Sequence, residues 1–159
     1  MAASPVEQIL ASVGRDGRII IWDLSTGQPI KTLFQGNPGI IWRVAFSPDG
    51  QTLASAGCAQ LTARGNCEHG EIRLWDVATG RQLGQSFVGH QDVIWAITFS
   101  PDGKKLASGS RDGTIIVWDL DLDSWIRRAC DIANRNLTEA EWQQYLGDEA
   151  YHATCNLDG

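Results

Sequence analysis

Short apolar runs of strand length recur along the chain, with turn signals between them. The runs Ile19–Trp22 and Ile115–Trp118 do not alternate with polar residues, which is typical of strands buried on both faces. The tetrapeptide Ser-Pro-Asp-Gly follows two further apolar runs, at Ser47–Gly50 and Ser100–Gly103. Proline presets φ and glycine accepts a positive φ, so both segments predict tight turns. Short strands with regularly spaced turns predict an all-β protein.

The pattern is an internal repeat. A Leu-Ala-Ser tripeptide precedes each of the Trp-Asp pairs that begin at Trp22, Trp75 and Trp118. Trp75 and Trp118 lie 43 residues apart, whereas Trp22 and Trp75 lie 53 apart because ten extra residues separate Gly57 from Glu71. The underlying period is therefore about 43 residues, which matches a propeller blade of four strands.

The repeat closely resembles that of the WD-repeat family. The resemblance covers residues 6–120 and implies a β-propeller of four-stranded antiparallel sheets. It also implies a platform for binding protein partners, with no catalytic residues and no cofactor of its own. We count ten strands, or about 2.5 blades, because the first blade leaves no room for an innermost strand and the third lacks its outermost one.

An incomplete ring has consequences for assembly. Closed propellers need roughly four to eight blades. The chain is therefore expected either to be a fragment of a longer propeller or to self-associate through its open blade edges, because bare sheet edges pair with other chains.

Members of the family carry a structural tetrad of His, Ser, Asp and Trp in a blade. The third blade has all four, in a chain of hydrogen bonds implied to run from Asp112 through His90 and Ser108 to the indole of Trp118. The first blade keeps Ser12, Asp16 and Trp22, while the second has Asn37 and Ala59 in place of His and Asp. A Ser-His-Asp set also occurs in proteases, but these positions favour a buried structural network.

The composition changes after Leu120. Residues 121–159 predict a helical C-terminal extension, with a first helix capped by Asp123 or Ser124 and a second opened by Thr138–Glu141 and ended by Gly147. This tail resembles that of bacterial STAND-type signalling proteins, in which a nucleotide switch is joined to a WD-repeat sensor. The glycine-rich nucleotide-binding loop of such proteins is absent from this sequence.

Charge and hydropathy argue against two classes of partner, nucleic acids and membranes. The net charge is −6, and no basic face is visible, so we expect no nucleic-acid binding. No run approaches the roughly 20 apolar residues of a membrane span, and the N-terminus does not resemble a signal peptide. The expected location is the cytoplasm.

The insertion at residues 58–69 contains the residues most suited to further chemistry. Cys58, Cys67 and His69 would supply three soft metal ligands, and the two cysteines would alternatively form a disulfide. We expect neither: the spacing is not a strong zinc pattern, and a cytosolic chain keeps its thiols reduced. Cys130 and Cys155 would meet if the helices of the tail fold back. His152 near Cys155 would suggest a nucleophile pair, which we do not expect because no third group or oxyanion site is visible.

The resemblance places a binding surface on one rim of the propeller. Carried over by position, its candidate residues are Arg15, Ile40, Trp42, Val93, Trp95 and Arg111. Tryptophan and arginine dominate binding hot spots. The alternative is that Trp42 and Trp95 merely pack between blades.

The sequence thus predicts a protein-interaction module, the scaffold or sensor end of a bacterial signalling protein. The alternative is a regulatory fragment of a multidomain enzyme whose catalytic or nucleotide-binding domain lies upstream.

Overall fold

A computed structural model describes residues 1–34, 40–125 and 128 of the chain. They form eleven strands in three sheets, which confirms the all-β partial propeller. The first blade contains β1 (Ala2–Ala3), β2 (Ile9–Val13), β3 (Arg18–Asp23) and β4 (Pro29–Phe34). The second contains β5 (Ile40–Phe46), β6 (Thr52–Leu61), β7 (Cys67–Asp76) and β8 (Gln82–Val88). The third contains β9 (Ile94–Phe99), β10 (Lys105–Ser110) and β11 (Ile115–Asp119).

The first blade differs from the prediction, because it has an innermost strand. Ala2 and Ala3 pair antiparallel with Ala11 and Leu10. The connection between β1 and β2 is short, and the Ser4 N–H donates to the Ile9 carbonyl across it at 3.0 Å. This tight connection leaves enough chain for the extra strand. The first blade therefore has four strands and starts at residue 2, before the predicted boundary. In the described part of the chain the third sheet has three strands, in the order β11-β10-β9.

An apolar core lies at the contact between the first two blades. It is made by Ile9, Ala11, Ile19, Ile21 and Leu33 from the first blade, and by Ile41, Val44, Phe46, Leu53 and Trp75 from the second. Gly70 lies at the contact between the second and third blades. A Cβ atom there would come within 2.5 Å of the Asp92 carbonyl oxygen, and the Gly70 N–H donates to the His90 carbonyl at 3.0 Å. Only glycine allows the two backbones to approach so closely.

The chain divides into two compact units, Met1–Trp118 and Asp119–Gly159. In the second unit, residues 122–125 and 128 are helical. The Asp123 N–H donates to the Asp121 carboxylate at 3.3 Å, which makes Asp121 the N-cap. The predicted caps, Asp123 and Ser124, instead lie within the first turn. The second predicted helix and the possible partners Cys130, His152 and Cys155 lie outside the described residues.

The third blade contains the complete hydrogen-bonded tetrad. The Trp118 indole N–H donates to Ser108 Oγ at 2.8 Å, and Ser108 Oγ lies 2.8 Å from His90 Nε2. His90 Nδ1 lies 3.0 Å from the Asp112 carboxylate. One assignment gives every atom a partner: the Ser108 hydroxyl donates to Nε2, and the Nδ1 proton is donated to Asp112. His90 and Ser108 are buried, so in this arrangement the Ser108 hydroxyl is not accessible to a substrate.

The second blade replaces part of this network with an ion pair. Its Trp75 indole still donates to Ser55 at 2.9 Å. On the same face of β7, Arg73 donates to the Glu71 carboxylate at 3.1 Å, and both side chains are largely buried. In the third blade the equivalent positions hold Thr114 and Ile116. Asn37, the other altered position of the second blade, lies outside the described residues.

We predict that His90→Ala lowers the free energy of unfolding by about 1–3 kcal/mol, because Ser108 and Asp112 each lose a partner in a largely buried network. Chemical denaturation of the two proteins measures the difference. Gln91→Ala is the matched control, since that side chain is exposed and should cost little. Equal losses for the two variants would show that the network does not stabilise the blade.

A second prediction concerns pH. Hydrogen bonds, of which that from the Thr114 side chain is the strongest, hold the pKa of the Asp112 carboxyl well below its usual range. A carboxyl whose pKa is lowered by folding stabilises the protein above its unfolded pKa of about 3.9, and this contribution is lost as the pH falls further. The stability difference between the wild type and Asp112→Asn should therefore be largest above about pH 5 and shrink towards pH 2. Thermal denaturation of both proteins across this pH range measures the difference. A stability difference that does not change with pH would contradict the prediction.

Candidate functional site

Two equivalent β-bulges determine where the rim tryptophans point. In the second blade Ile41 pairs with Gly57 and Arg43 with Ala56, so Trp42 is an extra residue opposite β6. In the third blade Ile94 pairs with Ser110 and Ala96 with Gly109, so Trp95 is the extra residue opposite β10. A bulge interrupts the alternation of a strand and re-aims its extra side chain. The two tryptophan side chains therefore project from β5 and β9 at equivalent positions in neighbouring blades.

Both tryptophans line one cleft of about 340 Å³ on this rim of the molecule. All six predicted binding residues line it, which are Arg15, Ile40, Trp42, Val93, Trp95 and Arg111. Cys58, Leu61, Gly65 and Cys67 complete its wall. The residues come from all three blades, so the cleft depends on how the sheets are stacked. The sequence-based reasoning missed the four wall residues, although the ten-residue insertion was a visible signal.

The tryptophans combine the two roles that the sequence left open. Their ring centroids lie 5.0 Å apart with a tilt of 41°, so the side chains do contact each other between β5 and β9. Trp95 is nevertheless 40% exposed, and Trp42 is half-buried. The pair therefore forms a partly exposed aromatic surface in the cleft. Val93 is buried and contributes to the base of the cleft rather than to its exposed surface.

Two arginines bring positive charge to the cleft. The Arg15 guanidinium lies 5.4 Å from the ring centroid of Trp42, within the range of a cation–π contact. Arg111 Nε donates to the Asp92 carboxylate at 2.8 Å. The hydrogen bond from Arg111 is the main reason that the pKa of Asp92 lies below its usual value. Because Arg111 uses Nε for this pair, its two terminal nitrogens point to no partner among the described residues.

The insertion forms a hairpin closed by a disulfide. It extends β6 and β7 beyond the sheet and brings the Cα atoms of Cys58 and Cys67 to 5.7 Å, where their sulfurs are bonded. The expectation of reduced thiols was therefore wrong for these two cysteines. The physical reason is the irregular strand pairing: Cys58 pairs with Gly70 and Leu61 with Cys67, and two register shifts between these pairs bring the cysteines within bridging distance.

The hairpin wall is well defined beyond the bridge as well. The Thr62 N–H donates to the Asn66 carbonyl at 2.8 Å, and Gly65 adopts a positive φ of 78° in this turn. At the base of the hairpin, a Cβ atom on Gly57 would lie 2.0 Å from the Ile40 carbonyl oxygen. Among the described residues no group of three or more His, Cys, Asp or Glu side chains could hold a metal ion.

We predict that the disulfide stabilises the protein by about 2–3 kcal/mol, because it closes a short loop that would otherwise be free in the unfolded chain. Denaturation with and without dithiothreitol should differ by this amount. The double variant Cys58→Ser with Cys67→Ser should be as unstable as the reduced protein and should not respond to dithiothreitol. A wild-type midpoint that does not change on reduction, with alkylation proving that both thiols are free, would contradict the prediction.

Comparison with known proteins identifies the repeat. The family model described as "WD domain, G-beta repeat" matches residues 1–23, 27–76 and 81–119. The chain is 31% identical over 133 residues to WD repeat-containing protein VIP3 of Arabidopsis thaliana, covering 76% of this chain and 38% of that protein. It is 35% identical over 113 residues to the target of rapamycin complex subunit wat1 of Schizosaccharomyces pombe, covering 70% of this chain and 32% of that protein.

The described residues contain no helix that is long and apolar enough to cross a membrane. The chain spans about a third of the length of the two relatives above. The family model nevertheless matches most of the chain, and each of the three blades carries the repeated bond from a tryptophan indole to a serine hydroxyl. The chain belongs to the WD-repeat family.

Proposed function

We propose that this chain is a protein-interaction module whose partner docks in the cleft that Trp42 and Trp95 line. The observation that carries the proposal is that all six candidate residues, chosen by position along the repeat, line a single cleft. Partly exposed tryptophans beside arginines have the composition of a binding hot spot, because each side chain joins a large contact area to a polar group. One relative is by its name a subunit of the target of rapamycin complex, which supports assembly with other proteins.

We further propose that the module is the scaffold or sensor end of a signalling protein that acts in the cytoplasm. The two relatives described above come from a plant and a yeast, so a bacterial context is supported only by the resemblance of the tail. A regulatory part of a multidomain enzyme is the alternative, with the catalytic or nucleotide-binding domain upstream. Both versions use the same cleft, since each requires this chain to recognise another protein segment.

Self-association through the third blade is a second proposal, and a specific observation favours it. On β11, Ile115 is 78% exposed and Val117 is 60% exposed, so two apolar side chains face outwards in the first unit. Large exposed apolar groups on a sheet favour association. Light scattering over a range of concentrations tests this, and a monomer at every concentration would exclude it.

The docking proposal is tested by site-specific photocrosslinking in cells. A benzophenone-bearing amino acid at position 95 should crosslink to a partner, whereas the same amino acid at position 83 should not, because exposed Leu83 lies on β8 and does not line the cleft. Mass spectrometry identifies the crosslinked protein. The same crosslinks from both positions would contradict a specific surface in the cleft.

We predict that Trp42→Ala with Trp95→Ala reduces the affinity for this partner by at least about tenfold, as is typical of losing two hot-spot side chains. The matched control is Leu83→Ala with Val88→Ala, which removes two exposed apolar side chains of β8. Circular dichroism must show that both variants are folded. Unchanged binding by a folded tryptophan variant would place the binding surface elsewhere, and unfolding would show that the tryptophans are core residues.

A further inference from the structure

We infer that the cleft binds an acidic segment of an extended peptide, in which an aliphatic side chain stands next to carboxylate side chains. The inference rests on the proposed function, because it names the partner chemistry of the same cleft. Three observations support it. The charged residues of the lining are positive, the neighbouring carboxylates already accept hydrogen bonds, and the cleft has the size and polarity for a short peptide.

The sign of the charge comes from the lining residues. Arg15 and Arg111 are the charged residues of the cleft lining, and none of the lining residues is acidic. The whole chain carries a net charge of −6, so the cleft lining is positive on an acidic molecule, with Asp92 paired to Arg111 beside it. An acidic ligand would be repelled by the protein as a whole and attracted at this place, which favours binding in one orientation.

The carboxylates closest along the chain to these arginines are already engaged. Asp16 accepts a hydrogen bond from the Arg18 N–H at 3.2 Å. Asp92 accepts from Arg111 Nε and from the Val93 N–H at 2.7 Å, and Asp112 is bound within the tetrad. Arg111 thus keeps its terminal nitrogens for a ligand, with Asp92 fixing the direction of the guanidinium. Arginine presents such a pair of N–H groups to a carboxylate in a bidentate geometry.

Arg15 is held in a complementary way. The guanidinium lies over the ring of Trp42, and the N–H groups along its edge donate to no other described residue. In the described part of the chain Arg15 makes no ion pair. A carboxylate that bonds to this edge would bring its neighbouring side chain over the tryptophan pair. The aromatic surface therefore favours an aliphatic residue beside the acidic one.

The size of the cleft selects a short segment. Its volume of about 340 Å³ is at the small end of the range for ligand sites, enough for the side chains of a few residues. Leu61 and the disulfide hairpin form one wall, and the bulged tryptophans supply an aromatic surface. An extended peptide fits this description, because it presents a few side chains to a shallow cleft without needing a large flat interface.

The experiment uses three synthetic peptides with the whole chain. The peptides are acetyl-Glu-Leu-Glu-Leu-Glu-amide and its two counterparts with Gln or Lys in place of every Glu. Binding is followed by the indole N–H signals in two-dimensional NMR, assigned with Trp42→Phe and Trp95→Phe. We expect the acidic peptide to shift these two signals and to bind roughly tenfold more tightly than the Gln peptide, with an affinity that falls as salt is added. The Lys peptide should not bind.

Substitutions in the protein complete the test. Arg15→Gln with Arg111→Gln should abolish the preference for the acidic peptide, while the control Arg81→Gln, in the turn between β7 and β8, should retain it. Equal binding of the Gln peptide, still lost in Trp42→Ala with Trp95→Ala, would overturn the acidic assignment and leave the docking cleft intact. A preference for the acidic peptide that survives loss of both arginines, tighter binding of the Lys peptide, or no response to the acidic peptide at about 1 mM would also overturn the inference. The proposed function fails separately, if the cellular partner still binds the folded tryptophan variant.

Discussion

One hydrogen bond, from a tryptophan indole to a serine hydroxyl, occurs in the same place in every blade. It joins Trp22 to Ser12 at 2.7 Å, Trp75 to Ser55 at 2.9 Å and Trp118 to Ser108 at 2.8 Å. Each bond ties the third strand of a blade to its second strand. A polar group that is removed from water needs such a partner. The bond therefore fixes the pairing register of the second and third strands, and the positions of the other residues of the blade follow from this register.

The binding cleft is a consequence of that register. Once the second strand is fixed, the extra residue in the innermost strand has to be accommodated as a bulge. The bulges at Trp42 and Trp95 occur at equivalent places because the second and third blades share the same pairing. The same local irregularity, repeated at the spacing of the blades, brings two aromatic rings within 5.0 Å of each other. Stacking of the blades thus creates a surface that no single blade possesses.

Much of this organisation could be predicted from the sequence, because it depends on repeated local signals. The Leu-Ala-Ser and Trp-Asp segments predicted the strands, and the position of His90 predicted its hydrogen-bonding partners. The innermost strand of the first blade could not be predicted in this way, since Ala2–Ala3 has no hydrophobic pattern and pairs only because Ser4 closes a turn. The disulfide was missed for a related reason. Spacing alone does not show that two strands continue beyond a sheet, and that pairing is what brings Cys58 to Cys67.

Gly57 lies where the hairpin leaves the second blade, and substitutions are far more restricted at this position than further out in the hairpin. Its backbone lies so close to the Ile40 carbonyl that any side chain would collide with it, so the junction between blade and hairpin admits one residue only. Beyond that junction, the exposed tip around Leu61 and Gly65 contributes to the cleft and is absent from the apolar core of the first two blades. Substitutions of the exposed Leu61, unlike those of Gly65 with its positive φ, can therefore change what the cleft recognises with little cost to folding. At Leu61, recognition is thus separated from the stability of the core, which allows a new specificity to evolve, or to be engineered, without rebuilding the blades.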